Sequence, residues 1–320
     1  MKPFTLPFLC VFLLAGCGSG EKAGEKSGGP TPPGLGSLSD ARKGFVPKLA
    51  RRRERGGPPA LAPPAGIFRV VHYDAPLGKN SAYLTPDPKD GMKRPAVIWI
   101  TGGDCNSIDD GCWHEGPPQN DQSATPIRRA GIVMMFPSLR GGNDSPGEKE
   151  GFLGEVDDVV AAADFLAKQD YVDPKRIYVG GHSTGGTMAL LVAEYSDRFR
   201  AVFSFGPTDD VNRYPGEFKV FDTTSRKDVE LRSPIHWLGS IRSPTFVFEG
   251  AGEGGNVLAL QSLARTSRNP KAHFFLVNGA DHFSTLAPIN RLIAAKILRD
   301  TGAECDIAFT EAELNGLFGK

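Results

Sequence analysis

Four glycines and one serine fall within seven residues, Gly180 to Gly186 (GGHSTGG), between a β-branched and aromatic run at Arg176 to Val179 (RIYV) and an apolar stretch from Met188 to Tyr195. A chain that passes from strand to helix in so few residues must turn sharply. Where such a turn presses its backbone against the adjacent strand and helix, only residues without bulky side chains fit. Gly181 and Gly185 stand two residues either side of Ser183, giving G-x-S-x-G in a strand-turn-helix setting. One βα unit is therefore built in, and the remaining segments have to supply a sheet that surrounds it.

They do so in alternation. Pro95 to Ile100 (PAVIWI) and Ile132 to Phe136 (IVMMF) are unbroken apolar runs of strand length, as strands covered on both faces of a parallel sheet are. Ile67 to Tyr73 and Ser81 to Leu84 predict opening strands, an antiparallel pair. Between Phe152 and Lys168, Val156, Val159, Val160 and Ala163 recur at steps of three and four, so one face of a helix is apolar. Further strands are expected at Ala201 to Phe205, Thr245 to Phe248 and His273 to Val277, with helices near Val257 to Ala264 and Ala287 to Leu298. The order predicts an α/β fold, a mostly parallel central sheet with helices on both faces. Residues 207 to 243, polar and Pro-containing, interrupt the rhythm and are expected to form a small lid or loop insertion.

A serine hydroxyl is a poor nucleophile until a base takes its proton, and the base must be oriented by a carboxylate. Only His236, His273 and His282 follow Ser183. His273 opens a strand and His236 lies in the insertion. His282 sits in a loop at the carboxyl end of the last strand, where the loops of an open α/β sheet converge on ligands. For the acid, the loop after Phe248 offers Glu249 and Glu253; Glu253 is preferred because the chain there has room to turn back, and Asp209 or Asp210 are the rivals. Ser, acid, His is the chain order this architecture requires. Charge developing on an attacked carbonyl oxygen needs preset donors. The backbone N–H of Thr184 is one candidate, and the glycine loop at Gly102 and Gly103 supplies the other.

On these motifs the chain resembles the prolyl oligopeptidase and dienelactone hydrolase branches of the α/β hydrolases. The resemblance runs from about 94 to 299 and is carried by VDPKRIYVGGHSTGG (172–186), SPIHWLGSIRSPTFVFEGAGE (233–253) and GADHF (279–283). It implies an α/β-hydrolase fold and a Ser183, Glu253, His282 triad working through an acyl-enzyme. Two positions depart from the pattern: the family usually carries Asp where Glu253 stands, and its oxyanion loop often begins with His where this chain has Thr101. The length leaves no room for the β-propeller of the oligopeptidases, so the expected substrate is a small ester or acyl amide, with short peptides as the alternative. A catalytically silent hydrolase fold used for binding is the third reading.

The amino-terminal part belongs to a different class. Residues 1–16 hold a lysine and an apolar run from Phe4 to Leu14, long enough for a signal peptide and short of the roughly 20 residues that span a bilayer. Leu14 to Cys17 (LAGC) resembles the bacterial lipoprotein box, which implies acylation of Cys17 and a protein held on the cell envelope, facing the periplasm or exterior, the outer membrane favoured. Residues 18–66 contain 11 Gly and 8 Pro, with nine Lys/Arg against four Asp/Glu. From that composition 17–66 is expected to be a disordered basic tether and 67–320 the folded domain. The zero net charge of the chain conceals a folded part at −6, a poor partner for nucleic acid. In an oxidising compartment Cys105 and Cys112 are expected to pair; a metal site with His114 lacks any ligand spacing, and no metal is expected. The stretch from Gly250 to Gly255 (GAGEGG) also satisfies G-x-G-x-x-G, yet too little chain follows for a dinucleotide half-fold, and no cofactor is expected.

Overall fold

A computed structural model of the chain describes residues 36–50 and 57–319. Residues 1–35, with the expected signal segment and Cys17, lie outside the described residues. Eight strands form one sheet: β1 (Arg69–Ala75), β2 (Gly78–Leu84), β3 (Arg94–Ile100), β4 (Val133–Pro137), β5 (Val172–His182), β6 (Val202–Phe205), β7 (Thr245–Gly250) and β8 (Ala272–Val277). Their order is β1-β2-β4-β3-β5-β6-β7-β8. The β1/β2 and β2/β4 pairs are antiparallel, and every pair from β4/β3 to β7/β8 is parallel.

The helices are α1 (Leu38–Arg42), α2 (Thr125–Arg129), α3 (Glu155–Leu166), α4 (Thr184–Tyr195), α5 (Arg226–Glu230), α6 (Val257–Thr266), α7 (Leu286–Arg299) and α8 (Glu311–Gly316). Because successive side chains of a strand point to opposite faces, each central strand feeds two cores. On β3, Ala96, Ile98 and Ile100 join the core under α3, α4 and α6, whereas Val97 and Trp99 join the one under α2, α7 and α8. The apolar stripe of α7, Leu286, Ile289, Ile293 and Ile297, repeats at steps of three and four and is fully buried.

The insertion is a chain of short helical turns around α5, and its Val211, Phe221, Leu231, Trp237, Leu238 and Ile241 are buried in the α3/α4 core. It forms no second domain; the described residues 36–50 and 57–319 belong to one compact unit.

Two expectations need correction. Within the supposed tether, residues 36–50 are docked. Ser37 caps α1, accepting the Asp40 N–H at 3.1 Å; Leu38 is 1% exposed; Arg42 pairs with Asp157 at 2.6 Å and lies over the Tyr195 ring. Leu49 then bridges Phe221, and Ala50 N–H donates to the Val220 carbonyl at 2.8 Å. One buried leucine and one cap outweigh the polar average of the stretch. The second correction concerns Cys105 and Cys112, which are free and buried. They belong to different cores, Cys105 to the one under α3 and α4 and Cys112 to the one under α2 and α7, and burial pushes the Cys105 thiol up to about 12.

Candidate active site

The glycine turn at the end of β5 has the strain its sequence requires. Ser183 holds φ +56° and ψ −113°, a region costly for a residue with a Cβ, about 1–3 kcal/mol. Its N–H donates to the Phe205 carbonyl at 2.8 Å and its carbonyl accepts from Thr187 N–H at 2.9 Å to start α4. A Cβ on Gly181 would stand 2.3 Å from the Gly185 carbonyl oxygen, and one on Gly185 would stand 2.2 Å from that of Ile100. The turn thus closes only with both glycines, and it presents a half-buried serine at the carboxyl edge of the sheet.

His282 lies over the same edge, in the loop after β8. Asp281 builds that loop by accepting the N–H groups of Phe283 and Ser284 at 2.9 and 2.8 Å; the backbone N–H of Ser284 chiefly holds its carboxyl below the usual carboxylate range. The imidazole is seated on Gly206, where a Cβ would fall 2.4 Å from Cε1, and Gly206 directly follows the Phe205 that anchors Ser183. His282 is 8% exposed.

The acid beside it is Glu249. Its Oε2 and Oε1 lie 3.0 and 3.3 Å from His282 Nδ1, and each oxygen also accepts a backbone N–H at 2.8 Å, from Asn256 and Gly250 respectively. Glu253 is exposed and does not meet the imidazole. The preference for Glu253 fails because β7 continues two residues beyond its apolar run, so Glu249 is the last side chain of the strand that reaches the site. Asp209 pairs with Arg213, and Asp210 caps the next turn through Asn212 N–H. Of the other histidines, His273 stacks on Phe246 and His236 ends a short turn of the insertion. The glycines of GAGEGG serve this site too: a Cβ on Gly250 would stand 2.3 Å from the Asp281 carbonyl oxygen, so they make room for the histidine loop.

The glycine loop after β3, the expected oxyanion loop, lies against the serine. Thr184 Oγ1 donates to the Gly103 carbonyl at 2.9 Å, and a Cβ on Gly102 would touch the Ser183 Cβ at 3.4 Å. Gly102 N–H is already committed to Gln122 Oε1 at 3.2 Å, which removes Gly102 from the expected donors. The N–H groups of Gly103 and Thr184 have no acceptor among the described residues. The Ser183 hydroxyl makes no hydrogen bond among them either; the bonds at this point run through its carbonyl to Tyr214 and from His282 to Glu249. Catalytic hydrogen bonds of this type commonly close only when substrate is bound.

A cleft partly open to solvent begins at Gly103. Its walls are Cys105, Phe152, Phe218 and Val220, with Lys149 paired to Asp104 and with Glu217 at the side. Tyr214, from the insertion, ties this wall to Ser183: its ring stacks on Phe152 at 5.3 Å, and its hydroxyl meets Thr187 Oγ1 at 2.6 Å and the Ser183 carbonyl at 3.3 Å. Sequence reasoning singled out neither Tyr214 nor Gln122. Trp113 packs edge-on against Tyr83 in the core, and His114 is exposed; neither lines this cleft.

Residues 118–230 match the model of the prolyl oligopeptidase family, a family of serine hydrolases. The dual function macrocyclase-peptidase POPB of Galerina marginata is 32% identical over 70 residues, 20% of this chain and 10% of that protein, so the chain spans about a tenth of the curated relative it matches. Among solved structures, a puromycin-hydrolyzing peptidase of Mycobacterium tuberculosis superposes with TM-score 0.58 at 19% identity, covering 73% of this chain and 39% of that one. The 2,6-dihydroxy-pseudo-oxynicotine hydrolase gives TM-score 0.58 at 17% identity, covering 78% and 72%. Dipeptidyl peptidase 4 of Porphyromonas gingivalis gives 0.56 at 15%, covering 72% and 35%. The sheet and its helices are the α/β-hydrolase fold, and the resemblance to the prolyl oligopeptidase family holds.

Proposed function

We propose that the chain is a serine hydrolase that cleaves the acyl bond of a short peptide or a comparable small amide or ester. Ser183 Oγ attacks the carbonyl carbon while His282 Nε2 takes its proton. Glu249 holds the Nδ1–H and stabilises the imidazolium; the Gly103 and Thr184 N–H groups receive the oxyanion. His282 then gives the proton to the leaving group; in the second half it takes a proton from water, whose oxygen attacks the acyl carbon, and returns that proton to Ser183 Oγ as the acyl–serine bond breaks. The observation that carries this reading is the buried His282–Glu249 pair seated on Gly206, beside a serine held at positive φ. The family match favours a peptide bond among these. The apolar wall of Phe152, Phe218 and Val220 suits an uncharged acyl-side group.

Turnover of a panel of short peptidyl p-nitroanilides and p-nitrophenyl esters tests it. Ser183→Ala is expected to abolish release of the chromophore with the fold intact, and turnover surviving that change refutes the assignment. Attachment to a bacterial envelope through an acylated Cys17 belongs to the same proposal; Cys17→Ser is expected to release the protein from membranes, and its retention there would refute anchoring by that residue.

A further inference from the structure

We propose that Gln122 and His182 are positioning residues that join the oxyanion loop to the loop carrying His282, so that donor and base keep one fixed spacing about Ser183. The proposal rests on the serine-hydrolase reading of the site.

The direction of this chain of hydrogen bonds is determined at its first link. Gly102 N–H is a donor only, so the atom of the Gln122 amide facing it at 3.2 Å is Oε1. Nε2 is therefore turned the other way, donating to Asn120 Oδ1 at 2.7 Å and to His182 Nδ1 at 2.9 Å. A His182 Nδ1 that accepts carries its proton on Nε2. That Nε2–H donates to the main-chain carbonyl of His282 at 3.0 Å, which also receives the Thr285 hydroxyl at 3.3 Å. Gln122 is itself held to the sheet, its carbonyl accepting Trp99 Nε1–H at 3.0 Å. One amide and one imidazole thus connect β3, the oxyanion loop, the residue before the nucleophile and the backbone of the base.

His182 suits this task electrically as well as geometrically. It is 1% exposed, and its ring centroid lies 4.6 Å from that of His282. Burial, then the closeness of His282, push its imidazole down to about 3. A neutral neighbour adds no like charge when His282 takes the serine proton. Phe283 closes the outer side of both rings at 5.3 and 5.0 Å.

A histidine that only fills space would make a different forecast from one that positions the base. Gln122→Leu and His182→Leu are expected to lower kcat by about tenfold or more, as small misplacements of catalytic groups do, with KM within about threefold of wild type. His182→Gln retains an N–H donor for the His282 carbonyl and is expected to recover most of the loss. In the wild-type protein, ¹⁵N spectra of the imidazoles are expected to show His182 protonated at Nε2 and unchanged between about pH 5 and 8. Leu variants with full kcat, a His182→Gln as slow as His182→Leu, or a His182 that titrates in that range or carries its proton on Nδ1 would each overturn the proposal. If His182→Leu fails to fold, Gln122→Leu and the wild-type spectrum decide. Turnover that survives Ser183→Ala sinks the hydrolase reading and the positioning role together. Full kcat in the Leu variants beside an inactive Ser183→Ala sinks the positioning role alone.

Discussion

Replacing Glu249 by Gln keeps the shape of the side chain and removes its charge, and the two backbone donors around it make the change severe. Oε1 accepts Gly250 N–H and Oε2 accepts Asn256 N–H, while both face His282 Nδ1. A glutamine must turn its NH2 towards one of those donors, setting N–H against N–H, or lose the contact. The charge effect can be worked from the separation. With the nearest N···O distance at 3.0 Å and the side chains 9% and 0% exposed, charge centres about 4 Å apart interact by about 4 kcal/mol at an effective dielectric constant near 20. The interaction reaches that strength only when His282 becomes an imidazolium, so it is lost from the transition state and hardly at all from bound substrate. At about 1.36 kcal/mol per decade this is a fall of about 10³ in kcat with KM little changed. Steady-state kinetics of Glu249→Gln and Glu253→Gln on one substrate form the assay. Glu253→Gln is expected to stay within about twofold of wild type, as exposed substitutions do. A fall below tenfold for Glu249→Gln, or an equal loss in Glu253→Gln, would refute the reasoning.

Three other consequences follow. Asp300 is fully buried beneath Arg200 and Tyr178, receiving Arg200 Nε–H and the Tyr178 hydroxyl at 2.6 Å each; burial works against its ionisation, but these partners prevail and hold it down to about 2. Asp300→Asn is expected to cost about 3 kcal/mol at neutral pH. Because the folded value lies below the unfolded one, the wild-type advantage is complete above about pH 4 and shrinks as pH falls through about 2; urea unfolding that shows a constant gap contradicts this. Removing residues 1–50 is expected to lower stability by about 2–3 kcal/mol relative to removing 1–36, since Leu38 loses its site, and to raise KM because Val220, in the cleft wall, loses its backbone partner Ala50; equal melting and equal KM refute the docking of 37–50. Thiol alkylation in denaturant without reductant is expected to label Cys105 and Cys112, and labelling only after reduction would restore the disulfide.

The strands were legible because each is an apolar run of the right length, and Ser183 and His282 were legible because turn chemistry and chain order leave few choices. Glu249 was not. A carboxylate at the end of a strand reads as the strand's solvent edge, and its burial is repaid by donors from Gly250, Asn256 and His282 that no local pattern reveals. The general tendency of α/β sheets to place ligand-facing residues at strand carboxyl ends was the available signal. Gly102 and Gly103 could not be separated because their difference is made by Gln122, twenty residues away. Cys105 and Cys112 are neighbours along the chain, but the loop between them carries one into each core, which their spacing does not reveal. For residues 36–50 composition averaged over the tether hid a local cue, the Ser37 to Asp40 cap before Leu38.

The central claim is that Ser183 is a nucleophile activated by His282. Mass spectrometry of the protein after reaction with a fluorophosphonate tests it most directly: a single adduct on Ser183 that is absent from His282→Ala is the result expected, and an adduct on another residue, or undiminished labelling without His282, would contradict it.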